Sequence, residues 1–220
     1  MAAMVGRGDI LPAQGEETVG VRVQELLRQR RDLWRGGEFT QSRQEAAVAT
    51  GFAALDAHLR GGGWPRAGVS EILCDRPGGA LALLLPALAR LSREEGGAIF
   101  MISPPYIPYA PGLVMQGMNL ERLLLLDASD RQLPWTLEQV LAEGCAAALA
   151  WPKSLDRRIC RRLQLAAERG GSSAFLLRQS SAAEEGFAAA ALRLQVATDG
   201  LSAAILRRPG GWPVAGIRLQ

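Results

Sequence analysis

The sequence predicts an α/β fold: a mainly parallel sheet with helices on both faces and a β-hairpin at the C-terminal end. Three observations lead there. From Thr50 onward, short and nearly continuous apolar runs alternate with amphipathic stretches, the pattern of strands buried on both faces and joined by crossover helices. Beyond Phe187 the helical spacing stops, and two apolar runs are joined through Thr198-Asp199-Gly200, a hairpin signal. The chain has 220 residues, 48% hydrophobic and 21% charged, which lets one such domain bury its own core without staples.

Taken in order, residues 1–20 contain Gly, Asp, Pro and Glu and are expected to be disordered. They lack the apolar stretch of a secretory leader, so no export is expected. Over 21–35, Val23, Leu26, Leu27, Leu33 and Trp34 recur at helical spacing opposite Arg28, Gln29 and Arg31, predicting an N-terminal amphipathic arm helix. Residues 36–49, opening on Gly36 and Gly37, read as a linker. The arm then either docks on a partner or packs its stripe against its own domain. That domain covers 50–220. Its strands are expected at 69–74, 98–103, 123–127, 146–151 and 173–178, its helices at 81–95, 109–118, 136–143 and 155–169. The hairpin strands are expected at 191–197 and 201–207. The most apolar run, 80–89, is about half the ~20 residues a bilayer requires and contains Pro86, so no membrane segment is predicted.

The inventory of reactive groups is thin. Of 25 basic residues, 24 are Arg and one is Lys153; the only histidine is His58. A net charge of +3 does not describe a nucleic-acid wrapper. Cys74, Cys145 and Cys160 are odd in number and widely spaced, forming neither a disulfide framework nor a zinc site, and a reduced, cytoplasmic setting is expected. A parallel sheet binds ligands at the carboxyl ends of its strands. The first strand runs into Cys74-Asp75-Arg76-Pro77-Gly78-Gly79-Ala80-Leu81 and then an apolar helix, the layout of a phosphate-cradling loop. A working loop ends in Gly-Lys-Ser/Thr, the lysine neutralising phosphate and the hydroxyl holding Mg²⁺. Here Gly78, Gly79, Ala80 and Leu81 form a degenerate version, whose glycines serve a tight strand-to-helix turn.

Thr50-Gly51-Phe52-Ala53-Ala54-Leu55-Asp56, followed by Gly61-Gly62-Gly63-Trp64-Pro65-Arg66-Ala67-Gly68-Val69-Ser70-Glu71-Ile72, resembles the segment leading into the ATP loop of the RecA recombinase family. In that family the next strand ends in an acid that polarises water, where this chain has Ile102-Ser103-Pro104-Pro105-Tyr106. The family's metal-assisting aspartate falls near Trp151. The resemblance therefore implies a RecA-like pseudo-ATPase, with no catalytic residues, no cofactor, no metal and no enzymatic activity.

A more detailed resemblance is to the ImuA family of translesion-synthesis-associated proteins, related to the SulA cell-division inhibitors. It is carried by Gln24-Glu25-Leu26-Leu27, Leu33-Trp34-Arg35-Gly36, Gly63-Trp64-Pro65-Arg66, Ser103-Pro104-Pro105-Tyr106-Ile107-Pro108-Tyr109-Ala110-Pro111 and Arg161-Arg162-Leu163-Gln164-Leu165-Ala166-Ala167-Glu168. It implies an accessory factor of the bacterial SOS response, acting beside a Y-family-polymerase-like protein of the ImuB type and an error-prone replicative-type polymerase, with RecA as a further contact. A SulA-type inhibitor of the tubulin-like division protein is the alternative. The arm helix and the Thr50–Asp56 lead-in favour the adaptor.

Three surfaces are candidates for partner contact besides Leu26, Leu27 and Trp34 of the arm. Residues 104–111 pack four prolines with Tyr106 and Tyr109 into a stiff loop at a strand end; the tyrosines either meet a partner or fold back to cap the vacated pocket. Arg157, Arg158, Arg161 and Arg162 share one helix face. With Asp156 and Glu168 as that helix's main acids, their field is expected to be largely uncompensated and to suit an acidic partner or a phosphate backbone, the alternative being a solvated face. Trp212, after Arg207 and Arg208, is either an anchor or part of a Gly/Pro turn between strands. Direct DNA contact is left open.

Overall fold

The computed structural model describes residues 47–76, 78–94, 97–184 and 190–219. The expectations for 1–20, for the arm helix over 21–35 and for most of the linker lie outside the described residues.

Among the described residues, ten strands and five α-helices follow one another. They are β1 (Ala47–Val48), α1 (Ala53–Asp56), β2 (Trp64–Pro65), β3 (Gly68–Leu73), α2 (Gly79–Glu94), β4 (Ile99–Ile102), α3 (Ala110–Met115) and β5 (Leu123–Leu126). Then come α4 (Leu133–Glu143), β6 (Ala147–Ala150), α5 (Arg157–Gly170), β7 (Ser173–Arg178), β8 (Leu192–Val196), β9 (Ser202–Arg207) and β10 (Val214–Arg218). Eight strands form one sheet in the order β10-β9-β8-β3-β7-β6-β4-β5. From β8 to β5 every pairing is parallel; β9 and β10 add antiparallel pairings. The α/β class, the parallel sheet and the antiparallel end are as the sequence predicts, and β10 extends the hairpin by a third strand.

The core lies on both faces of the sheet. Leu83, Leu84, Leu88 and Leu91 of α2 pack with Ile72, Met101 and Phe175 on one face. Leu137 and Leu141 of α4 and Cys160 and Leu163 of α5 pack with Val69, Ile102 and Leu176 on the other. Strands β3, β6 and β7 are buried along their whole length, as apolar runs covered on both sides must be. The edge strand β5 departs from that rule, with Leu124 and Leu125 about half exposed, because it has one neighbour instead of two.

Element boundaries shift for local reasons. Helix α4 begins at Leu133, ahead of the expected 136, because Pro134 sits in the first turn, where its missing N–H is not needed. Helix α3 stops at Met115, short of the expected 118. The 36–49 linker is corrected at its end: Ala47 and Val48 pair with Pro65 and Trp64. Gly63 permits that approach, since a Cβ there would lie 2.2 Å from the Val48 carbonyl oxygen. Trp64 is fully buried and meets Phe175 edge to face at 5.5 Å. The Thr50–Asp56 segment closes on itself: the Thr50 N–H donates to Asp56 Oδ1 at 2.9 Å and the Phe52 N–H to Thr50 Oγ1 at 3.0 Å.

A buried ion cluster crosses the centre of the sheet. Glu71 of β3 accepts from Arg178 Nη1 of β7 at 3.0 Å and from Arg193 Nε of β8 at 2.5 Å. Arg193 also donates to the carbonyls of Ala182 and Ala183. Removing one member of a buried cluster leaves the others charged in a low-dielectric setting, at a cost of about 3–5 kcal/mol. Glu71→Ala should therefore lower the urea midpoint sharply or prevent soluble folding. A variant unfolding at the parent midpoint would show that the cluster contributes nothing.

Candidate functional site

The strands run parallel, so their carboxyl ends gather at one side of the sheet, and there the loops enclose a cavity of about 750 Å³. Its floor includes Ala80, Met101 and Leu177, and its walls are the loop after β3, the Pro104–Tyr109 loop and Trp151 with Lys153 after β6. A smaller cavity of about 270 Å³ shares Arg76 and Gly78 with it and reaches Gly79.

The loop after β3 is held at several points. The Cys74 N–H donates to the Arg178 carbonyl at 2.9 Å, and Asp75 Oδ1 accepts from the Ser180 N–H at 2.8 Å. Arg76 Nη1 donates to the Asp199 carbonyl at 3.2 Å. Gly78 turns the chain with φ +73°, a conformation other residues rarely adopt, and α2 begins at once. At the helix start, where a phosphate loop carries its lysine and hydroxyl, Ala80 is buried and Leu81 is half-buried, and both face the cavity. The groups presented there are hydrocarbon.

The opposite wall starts from Ser103, which takes a left-handed φ of +50°. Its hydroxyl donates to the Ala128 carbonyl at 2.7 Å and accepts from the Ala128 N–H at 2.8 Å, holding an otherwise unfavourable backbone state. Pro104, Pro105 and Pro108 then keep the chain out of a helix until α3. Tyr106 and Tyr109 are 71% and 74% exposed, and Ile107 is 91% exposed. The tyrosines thus stand as a wall of the cavity with their rings largely in water, and the capping alternative is corrected by that exposure.

Two cations at the cavity are already engaged. Lys153 Nζ donates to Asp130 Oδ2 at 2.8 Å, with both side chains well exposed; that hydrogen bond, reinforced by the carboxylate charge, raises the lysine pKa. Arg178 is buried, bound to Glu71, and donates from Nη2 to the Lys153 carbonyl at 3.3 Å.

Of the residues expected from sequence, Gly78, Ala80, Leu81, Tyr106 and Tyr109 meet at this cavity. The arginine quartet and Trp212 do not line it. Arg157, Arg158, Arg161 and Arg162 are exposed on α5, and one of the four, Arg162, forms an ion pair with Glu138 of the adjacent α4. Trp212 is 86% exposed in the turn between β9 and β10, where its carbonyl accepts from Arg208 Nε at 3.0 Å. Leu26, Leu27 and Trp34 lie outside the described residues. Sequence reasoning passed over Arg76, Lys153 and Arg178 as site residues, and it met Trp151 only as the place of an absent aspartate. All four sit at or just past strand ends, so the strand-end rule was the signal that could have found them.

No family model matches the chain. The protein ImuA of Caulobacter vibrioides is 33% identical over 137 residues, which are 59% of this chain and 56% of that relative. The cell division inhibitor SulA of Pseudomonas aeruginosa is 32% identical over 116 residues, 51% of this chain and 72% of the relative. The crystal structure of SulA from Pseudomonas aeruginosa matches with a TM-score of 0.45 and 31% identity, covering 53% of this chain and all of that one. The chain thus spans little more than half the length of the ImuA relative. No helix among the described residues is long and apolar enough to cross a membrane.

Cys74 lines the cavity and is part-exposed, whereas Cys145 and Cys160 are buried. Burial pushes the Cys145 thiol up, against a smaller lowering by Ser172, so little thiolate forms there at mild alkaline pH. A thiol-specific disulfide reagent at pH 8 should modify one cysteine rapidly, lose that phase in Cys74→Ser, and reach the other two only after unfolding. Equal rates at all three would contradict the burial pattern.

Proposed function

The chain belongs to the ImuA family, with the SulA cell-division inhibitors as its relatives, and from that premise we propose that it is a non-catalytic adaptor of the SOS DNA-damage response. Its role is to support error-prone translesion synthesis by holding protein partners: a Y-family-polymerase-like protein of the ImuB type, an error-prone replicative-type polymerase, and RecA. The fold is read as a RecA-like domain that keeps the strand, loop and helix of an ATP site.

The observation that carries this reading is the chemistry of the cavity. Phosphoryl transfer depends on charge neutralisation and positioning. Here the helix start offers Ala80 and Leu81 to the cavity, in the places where a phosphate loop carries its lysine and hydroxyl. What remains is a stiff loop with Tyr106, Ile107 and Tyr109 in water, the kind of large, low-entropy surface that protein interfaces use. A second reading, a SulA-type inhibitor of the tubulin-like division protein, draws on the match to 72% of a SulA chain.

Capture assays with the whole chain and purified candidates separate the two. The adaptor reading expects retention of the polymerase-like protein and none of the division protein; the reverse outcome would replace it by the inhibitor. Tyr106→Ala combined with Tyr109→Ala should leave thermal stability unchanged, since both rings are exposed, and weaken partner capture by about tenfold or more, a hot-spot effect of roughly 1.4 kcal/mol or above. Undiminished capture would remove this loop from the interface.

A further inference from the structure

We infer that the cavity at the strand ends seats an acidic, extended segment of a partner protein, which lodges an apolar side chain in the cavity and sets a carboxylate against Arg76 and Lys153. This rests on the adaptor reading and names the chemistry of the segment the adaptor takes.

The shape fits a few residues of chain. A volume of about 750 Å³ exceeds one side chain and lies in the range of sites that enclose small ligands. The floor is apolar, with Met101, Leu177, Ala80 and Leu81, so an aliphatic or aromatic anchor gains by leaving water there. The prolines of the wall hold it in place before the partner arrives, which lowers the ordering cost of binding.

Charge selects the flanks of that anchor. The lining holds Arg76, Lys153 and Arg178 against Asp75. Arg178 is already matched by the buried Glu71, and Asp75 is engaged by the Ser180 N–H. At the rim, Arg76 rests on the backbone carbonyl of Asp199, so among the described residues its guanidinium meets a neutral acceptor and keeps its charge for an incoming group. Lys153 is shared with Asp130, but that pair stands in solvent with 82% and 71% of its side chains exposed, where ion pairs contribute little and exchange readily. A carboxylate beside the anchor is the complement of this rim.

Nucleic acid fits less well. A DNA strand needs cations that follow successive phosphates and flat surfaces for successive bases. Two rim cations and a proline-bounded hollow supply neither, and the arginines of α5 do not line the cavity.

The test is selection of a phage-displayed library of random dodecapeptides on the whole chain, followed by fluorescence polarisation with the most enriched peptide, synthesised and labelled. Enriched sequences should place two or more Asp or Glu around a Leu, Ile, Phe or Trp. Their affinity should fall about tenfold or more in Arg76→Glu combined with Lys153→Glu, fall likewise in Ile107→Asp, and stay unchanged in Arg157→Glu, all variants melting like the parent. No enrichment, enrichment without acidic bias, or affinity indifferent to the charge reversal would overturn the proposal. Displacement of the peptide by oligothymidine would overturn it in favour of a nucleic-acid site. If the charge-reversed variant still captures the polymerase-like partner at full affinity, the cavity assignment fails and the adaptor reading stands; if the parent chain captures no partner, the adaptor reading fails whatever the peptides do.

Discussion

Glu71 sits between two arginines at the middle of the sheet, and the arrangement around it depends on that contact. Its carboxylate joins β3 to β7 through Arg178 and to β8 through Arg193, so three adjacent strands are tied by one buried group. Arg178 reaches onward to the Lys153 carbonyl, and Arg193 to the carbonyls of Ala182 and Ala183. Buried ions are costly unless every charge is matched and hydrogen-bonded. Here one carboxylate serves two guanidiniums, with backbone carbonyls holding Arg193 further, and the contacts favour β7 and β8 as the neighbours of β3, because other pairings would separate these charges. The parallel half of the sheet and the antiparallel C-terminal part meet at this point, and the Lys153 wall of the cavity is anchored to it.

The cavity follows from the topology. Parallel strands bring their carboxyl ends together, and each loop there emerges where it can shape a ligand site. What this chain places in those loops is small, apolar or stiff: Gly78 and Ala80 after β3, the prolines after β4, Trp151 and Pro152 after β6. Ser103 is the hinge of the arrangement, since its hydroxyl satisfies both the N–H and the carbonyl of Ala128 while its own backbone is left-handed. The result is a preformed hollow with aromatic residues at its mouth and cations at its rim, suited to contact.

The sheet was legible because buried parallel strands advertise themselves as apolar runs; 173–178 coincides with β7 residue for residue. Strands β1, β2 and β10 were not, since two-residue strands carry no period, and Val214-Ala215-Gly216-Ile217-Arg218 is interrupted by a glycine. Helix α4 starts three residues ahead of the expected 136, with Pro134 in its first turn. At the site, Tyr106, Tyr109 and the degenerate loop could be placed at strand ends from spacing alone. The ion pairs could not: Glu71 and Arg178 are 107 residues apart, Glu138 and Arg162 are 24 apart, and pairings between elements follow from the order of strands and the packing of helices, which local pattern does not encode. The same limit hid the partner of Arg162 on α5.

If this site takes protein in place of a nucleotide, as proposed, isothermal titration of the whole chain with ATP and Mg²⁺ gives no saturable heat up to millimolar nucleotide, because the helix start carries Ala80 and Leu81 where a phosphate loop places its lysine and hydroxyl. Saturable binding in the micromolar range, abolished by substitution at Gly78 or Gly79, would contradict it.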